Sequence, residues 1–296
     1  MLNFRKIRRE DYENASQIMK NSGFRLTECS FATVYMWRNM YGSEICIDNG
    51  TVFLRAGGNG KHNYLFPFGG DAYGSLMKIR ETEDGKKIKF HCITEEMREI
   101  IESVFPKEFL FSDSRQSYDY IYESQSLASL SGNKLHKKRN HVNKFSKEYE
   151  GRFDCSAVEK SDFDRIMRFQ ERWVKTASDD ENRAVLEYET TAIEELFGCF
   201  DEFGIIGEKI CIEGEVSAFC LASESGADTI DVMVEKGDYD YDGIYQMINK
   251  AFAERVCGKY KYINREDDAG NPGLRKSKLS YYPTILLRKY TAVWNI

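Results

Sequence analysis

The sequence predicts an α/β protein of mixed α+β sheets in which one folding unit is used twice. Three observations carry this. The 296 residues are long for one such unit and suit two domains of ordinary size. The stretch Glu44-Ile45-Cys46-Ile47-Asp48-Asn49-Gly50-Thr51-Val52-Phe53-Leu54 has a counterpart in Lys209-Ile210-Cys211-Ile212-Glu213-Gly214-Glu215-Val216-Ser217-Ala218-Phe219-Cys220-Leu221, with Ile-Cys-Ile-acid, a turn and an apolar strand in each. An Asp-aromatic helix start also recurs, as Asp11-Tyr12 and Asp162-Phe163. The spacing of these pairs implies an internal duplication of about 150 residues.

In the first half, Phe4 to Arg8 reads as a strand, and Asp11 caps a helical pattern through Ala15, Ile18 and Met19. A second helix covers Phe31 to Met40. Asn49-Gly50 between two β-rich runs is a hairpin signal, and a third strand is expected at Tyr64 to Phe68. A helix from Tyr73 to Glu81, a strand from Ile88 to Ile93, a Thr94-capped helix to Val104 and strands at Phe109 to Phe111 and Tyr118 to Tyr122 follow. The second half repeats the order: a strand at Arg152 to Val158, helices from Asp162 to Trp173 and Glu187 to Phe200, the second hairpin, and a strand at Ile230 to Val234. The expected division is 1–125, a basic linker helix over 126–150, and 151–296.

Composition narrows the function classes. Hydrophobic residues at 42% let both units bury cores, and a net charge of -6 argues against general coating of nucleic acid. A local basic groove is still allowed, because screening confines each charge to roughly 10 Å. No apolar run approaches the roughly 20 residues of a membrane span, and the charged start, Met1 to Glu10, is unlike a secretory signal. A cytoplasmic protein is expected. The eight cysteines never form Cys-x-x-Cys and several sit in strand-like apolar runs, so inert thiols are expected in place of zinc sites or disulfides.

Two segments stand apart. From Lys134 to Lys147 there are six Lys or Arg and no acid. Leu135, Val142 and Phe145 share one helical face, while Lys134, Lys137, His141 and Lys144 share another. One side docks and the other presents positive charge suited to an RNA backbone or a phosphorylated head group. The second segment, Asn264 to Tyr282, gathers acids, bases and two tyrosines in a turn and a short helix that begins after Gly270, Pro272 and Gly273. Polar groups at the end of a strand lie where open α/β sheets hold ligands.

The element order is that of the GNAT acyltransferase fold, so the chain resembles two GNAT domains in tandem. A narrower resemblance rests on Leu130-Ser131-Gly132-Asn133-Lys134, Lys138-Arg139-Asn140, Val142-Asn143-Lys144-Phe145, Ile263-Asn264-Arg265-Glu266-Asp267-Asp268, Gly273-Leu274-Arg275-Lys276-Ser277-Lys278 and Ser280-Tyr281-Tyr282-Pro283. With these the chain resembles stand-alone relatives of the lysylphosphatidylglycerol synthase C-terminal domain over nearly its whole length. That resemblance implies an aminoacyltransferase that takes its donor from charged tRNA and passes it to a hydroxyl or amine acceptor, the phosphatidylglycerol head group being one. It implies tRNA as a partner and peripheral contact with anionic lipid head groups, and no cofactor or metal.

Such chemistry needs a base near the nucleophile, donors for the ester oxyanion and cations for the terminal phosphates of tRNA. Glu266 and Asp267 are candidate bases, with Asp231 on the preceding strand a third. Arg265, Arg275 and Lys278 are candidate cations; Arg275 and Lys278, three apart on one helix face, can converge on one anion. Asn264, His136, Lys137, Lys138, Arg139 and Asn140 complete the expected binding set. Tyr281 follows the fourth helix, where many GNAT enzymes place a tyrosine acid, and reads equally as a core residue. The first half carries nothing comparable, so the cleft is expected to be built mainly by the second. Asp238-Tyr239-Asp240-Tyr241-Asp242-Gly243 imitates the start of a calcium loop, but position twelve is Asn249 and a strand, not a helix, precedes it. In a GNAT unit this turn holds the pyrophosphate of an acyl-CoA on backbone amides. Its Glu235, Asp238, Asp240 and Asp242 would repel that group unless Lys236 or a metal intervened. An acyl-CoA N-acyltransferase using acetyl-CoA and a non-catalytic nucleotide or polyamine binding module remain the open alternatives.

Overall fold

The computed structural model describes all residues except 58–61, 85–86, 178–181 and 296. The first half comprises β1 (Arg5–Lys6), α1 (Tyr12–Lys20), α2 (Phe31–Tyr41), β2 (Glu44–Asp48), β3 (Thr51–Ala56), β4 (Asn63–Tyr64), α3 (Ala72–Glu83), β5 (Lys89–Ile93), α4 (Glu95–Val104), β6 (Phe109–Asp113) and β7 (Asp119–Glu123). Two linking helices follow, α5 (Ser124–Ser129) and α6 (His136–Glu148). The second half comprises β8 (Phe153–Ala157), α7 (Phe163–Ala177), α8 (Arg183–Gly198), β9 (Ile206–Ile212), β10 (Glu215–Glu224), β11 (Thr229–Gly237), α9 (Ile244–Val256), β12 (Tyr262–Asn264), α10 (Pro272–Leu279), β13 (Ile285–Leu287) and β14 (Tyr290–Trp294).

The two halves match element by element, and local chemistry repeats with them. Ile45 and Ile210 lie in the first strands of equivalent hairpins, β2 and β9, each beside the opening strand of its half. Both hairpin turns have positive φ at both central residues, 47° and 72° at Asn49-Gly50 and 51° and 83° at Glu213-Gly214, as the twist of a two-residue hairpin requires. Asp11 accepts the Arg8 amide at 2.7 Å and Asp162 accepts the Glu159 amide at 2.9 Å, so each forms a short turn ahead of its helix. The expected strand from Tyr64 to Phe68 shrinks to Asn63–Tyr64 with a single bridge from Phe68 to Val52. Pro67 has no N–H to give to a ladder.

Each sheet has seven strands, in the orders β1-β2-β3-β4-β5-β14-β6 and β13-β7-β12-β11-β10-β9-β8. The final strands of the halves are therefore exchanged. β14 enters the first sheet between β5 and β6, and β7 enters the second between β12 and β13. Hydrogen bonding thus assigns 119–123 to the second sheet and 290–294 to the first, so the sheets do not divide at the linker. As a central strand, β7 is buried over Asp119 to Tyr122.

A continuous apolar core joins the first sheet to α7 and α8 through Phe169, Ile193, Leu196 and Phe203. A second core lies between the other face of the second sheet and α5, α6 and α9, and includes Leu135, Val142, Phe145, Ile248 and Tyr281. The expected docking face of α6 is buried and Lys137, His141 and Lys144 are exposed. Among the described residues no helix is long and apolar enough to cross a membrane, and all eight cysteines are free thiols.

Candidate functional site

The second sheet opens between β11 and β12. β11 runs on to Gly237, but β12 pairs with it only from Thr229↔Tyr262 to Asp231↔Asn264. Beyond Asn264 the chain leaves β11 and follows the exchanged strand: the Arg265 amide donates to Tyr120 O at 3.0 Å, and the Tyr120 amide donates to Glu266 O at 3.2 Å. Seven residues, Arg265 to Asn271, then separate the strand from α10. Asn271 caps that helix through the Gly273 and Leu274 amides.

Glu266 is held in a left-handed conformation, φ 54°, which a non-glycine residue adopts only under constraint. Asn264 Oδ1 accepts its amide at 2.8 Å, and Lys278 Nζ donates to the carbonyls of Arg265 and Asp267 on either side. Lys278 is thus occupied in clamping the excursion. Arg275 makes two bonds to Asp268 at 2.8 and 2.9 Å, where Arg115 and Tyr120 also converge. Burial would raise the Asp268 carboxyl, but the bonds from Arg275, Tyr120 and the Gly270 amide outweigh it and hold the group well below the usual range. Arg275 and Lys278 therefore do not meet on one anion. Asp268 draws the first away and backbone carbonyls draw the second.

Behind Glu266 lies a buried network to which both halves contribute. Asp231 Oδ2 accepts the hydroxyls of Thr27 at 2.7 Å and Thr33 at 2.8 Å, while Oδ1 is buried without a partner among the described residues. Asp119 accepts the Thr27 amide at 3.0 Å and Asn264 Nδ2 at 3.1 Å. Lys289, itself fully buried, pairs with Asp119 at 2.8 Å and with Glu28 at 2.8 Å. Burial pushes Asp231 up to about 7 and Asp119 up to about 6, the latter against the pull of Lys289. Glu266 is raised well above the usual range by burial and by the charge of Asp231. Asp267 is raised by burial, and it also raises the half-exposed Tyr41 phenol, after burial itself.

The sequence leads one to expect a cleft built mainly by the second half; here Thr27, Glu28, Thr33 and Asp119 come from the first. The cause is the strand exchange, which carries Asp119 into the second sheet and Lys289 to the start of β14 in the first. Asp119 carried a readable signal, an acid opening the otherwise apolar Tyr120-Ile121-Tyr122. Thr27, Glu28, Thr33 and Lys289 carried none.

On the other side of the opening, Arg265 pairs with Glu235 at 2.7 Å while its Nη1 is buried without a partner among the described residues. Its guanidinium lies 5.2 Å from the Tyr281 ring. Lys138 lies 4.1 Å over the same ring, and burial with the nearby Arg265 charge lowers it to about 8. Tyr281 is 3% exposed, joins the core and is raised by burial. Of the linker residues, His136, Lys137 and Asn140 are exposed, and Arg139 donates to Leu130 O at 2.6 Å, closing the turn ahead of α6. Two concavities elsewhere, of about 200 Å³ beside Tyr12 and Phe203 and about 510 Å³ beside Arg5 and Lys78, include none of these residues.

The turn ahead of α9 is closed. Gly243 has φ 92°, and a Cβ there would lie 2.8 Å from His141 O, so the backbone of α6 sits on the first turn of α9. Lys144 pairs with Asp242 at 2.7 Å, and Lys236 turns away to Glu189 at 2.6 Å. The equivalent turn of the first half is filled as well: a Cβ on Gly70 would lie 2.1 Å from Thr51 Oγ1.

These features define a tandem GNAT-like protein whose candidate site lies at the opening of the second sheet. Residues 22–293 match the family described as phosphatidylglycerol lysyltransferase, C-terminal, and the chain belongs to that family. A conserved protein of unknown function from Bacteroides thetaiotaomicron is similar in structure at TM-score 0.93 and 30% identity, covering 100% of both chains. The C-terminal domain of a protein named as lysylphosphatidylglycerol synthetase from Agrobacterium fabrum matches at TM-score 0.70 and 13% identity, over 97% of this chain and 92% of that one. An uncharacterised protein of Mycoplasmoides gallisepticum is 24% identical over 74% of this chain and 70% of its own length.

Proposed function

We propose that the protein transfers an aminoacyl group from charged tRNA to a hydroxyl or amine acceptor, with the phosphatidylglycerol head group as one candidate. Family membership supports an aminoacyltransferase-type activity. The observation that carries the reading is the grouping at the sheet opening of a constrained carboxyl, Glu266, with two cations near the Tyr281 ring, Arg265 and Lys138. Glu266 takes the proton of the attacking nucleophile. Arg265 Nη1 is the donor available to the ester oxyanion or a terminal phosphate. The exposed lysines of α6 meet the tRNA backbone.

The closed turn ahead of α9 speaks against an acyl-CoA donor, because the His141 carbonyl of α6 lies against Gly243 and the Tyr241 and Ile244 amides are engaged within the turn itself. No cofactor is needed for the transfer. The test is to offer the full chain a pool of charged tRNAs and, separately, acetyl-CoA, each with lipid and polyamine acceptors. Transfer from charged tRNA alone is expected. Turnover of acetyl-CoA without transfer from any charged tRNA would overturn the reading.

A further inference from the structure

The proposed base meets an obstacle in its own surroundings. A carboxyl that keeps its proton cannot accept another, and burial favours the protonated form of Glu266. The geometry around Thr27 removes the obstacle. Its Oγ1 lies 2.7 Å from Asp231 Oδ2 and 3.3 Å from Glu266 Oε1. A hydroxyl has one proton to give and two lone pairs to offer. Thr33 also donates to Asp231 Oδ2, so two hydroxyls converge on one carboxylate oxygen. With the Thr27 proton directed at Asp231, its contact with Glu266 is a hydrogen bond when Glu266 is the donor.

We propose that Thr27 is a positioning residue that joins Asp231 and Glu266 into one proton-sharing pair, so that Glu266 becomes a base without a proton leaving the site. The catalytic half of this proposal rests on the aminoacyl-transfer reading; the proton sharing does not. The Glu266 proton passes to Thr27 Oγ1 as the Thr27 proton passes to Asp231 Oδ2, which moves the negative charge from Asp231 to Glu266 and leaves the total charge of the pair unchanged. The acceptor then bonds to the ester carbonyl carbon and gives its proton to Glu266. When the tetrahedral adduct collapses, the bond from carbon to the tRNA ribose oxygen breaks, and that oxygen takes the proton from Glu266. The reverse shift through Thr27 restores the pair.

The charged groups acting on the pair are Glu28 ahead of α2, Asp119 on β7, Asp267 in the excursion and Lys278 on α10, with the Tyr41 phenol at the end of α2 facing Glu266, and Lys289 ahead of β14 reaching it through Glu28 and Asp119. Lys289 is already committed to Glu28 and Asp119, and Lys278 to backbone carbonyls. Among the described residues, Thr27 is thus the one hydroxyl that touches both carboxyls.

Infrared spectroscopy of the full chain at neutral pH tests the sharing without any substrate. A buried protonated carboxyl band from Glu266 is expected that is lost in Glu266→Gln, beside whatever the raised Asp231 and Asp119 contribute. The band should shift in Thr27→Val, which keeps the side-chain shape, and return in Thr27→Ser. In the transfer assay Thr27→Val should lower kcat about 10²-fold with KM held and move the acid limb of the kcat profile up by about one unit, with Thr27→Ser restoring both. A spectrum that loses no band in Glu266→Gln, or a Glu266 band that Thr27→Val leaves unmoved, would overturn the proposal, as would superimposable pH profiles for Thr27→Val and the unmodified chain. If no charged tRNA is a donor, the function reading fails and the infrared result alone decides the proton sharing.

Discussion

The two halves cross from their fifth strand to their fourth helix in opposite ways. In the first, β5 ends at Ile93 and Thr94 caps α4 at once, accepting the Met97 amide at 3.3 Å. In the second, β12 ends at Asn264 and the chain makes the seven-residue excursion Arg265 to Asn271 before α10. Both crossings are flanked by a strand from the other half: Ile93 pairs with Tyr290, and Asn264 pairs with Ile121. One unit keeps a tight turn and adds stability, while its copy spends the same position on a polar loop held by Asn264, Lys278 and Tyr120. The duplication supplies a scaffold, and the site arises where the copies differ.

The clamp between the exchanged strands is the strongest test of that comparison. Lys289→Ala would leave Asp119 and Glu28 buried without their cation, so a loss of about 3–5 kcal/mol is expected in chemical denaturation. An equivalent break in the tight crossing, Thr94→Ala, should cost about 1 kcal/mol. Equal effects would mean that the exchange is not braced at this point.

Next in size is a pH effect confined to the excursion side. The carboxyl of Asp231 is raised from 3.8 to about 7, so the folded state binds its proton more tightly than the unfolded chain does. The stability it contributes is complete below 3.8 and is lost as pH rises through 7, on the order of a few kcal/mol. Asp231→Asn should flatten this decline, as thermal melts across that range would show. A decline of unchanged slope would place the titration elsewhere.

The smallest effect separates residues of α6 that look alike in sequence. Arg139→Ala removes the bond to Leu130 O and should cost about 1–3 kcal/mol. Reversal of exposed Lys137 to Glu should leave the melting temperature in place. It should also weaken RNA binding and lower its salt slope by close to one unit, measured by titration at several salt concentrations. A salt slope unaltered by the reversal would remove α6 from the RNA surface.

Much of the fold was readable because it is written in local patterns. Asn49-Gly50, the Ile-Cys-Ile repeats and the Asp-aromatic helix starts each act over a few residues, and together they revealed the duplication. Partner choice among strands is not local. Nothing in Tyr118 to Tyr122 or Tyr290 to Trp294 tells which sheet will receive it, so the exchange and its Asp119–Lys289 pair could not be read. The site divides the same way. Asn264 to Asp267 was visible as a polar strand end, but Arg275 and Lys278 were read as free cations because their partners, Asp268 and two backbone carbonyls, appear only once the excursion folds back on α10. The lysines and Arg139 of α6 looked equivalent until burial against Tyr281 separated Lys138 and the Leu130 carbonyl engaged Arg139.

The claim that the excursion carries the chemistry is tested most directly by a single-turnover transfer assay on Glu266→Gln, run beside RNA binding by the same protein. Gln keeps the size and hydrogen bonding of the side chain and removes the base. RNA affinity should hold while transfer falls on the order of 10²-fold or more. If Glu266→Gln and Asp267→Asn both transfer at the unmodified rate, the excursion is structural and the account is contradicted.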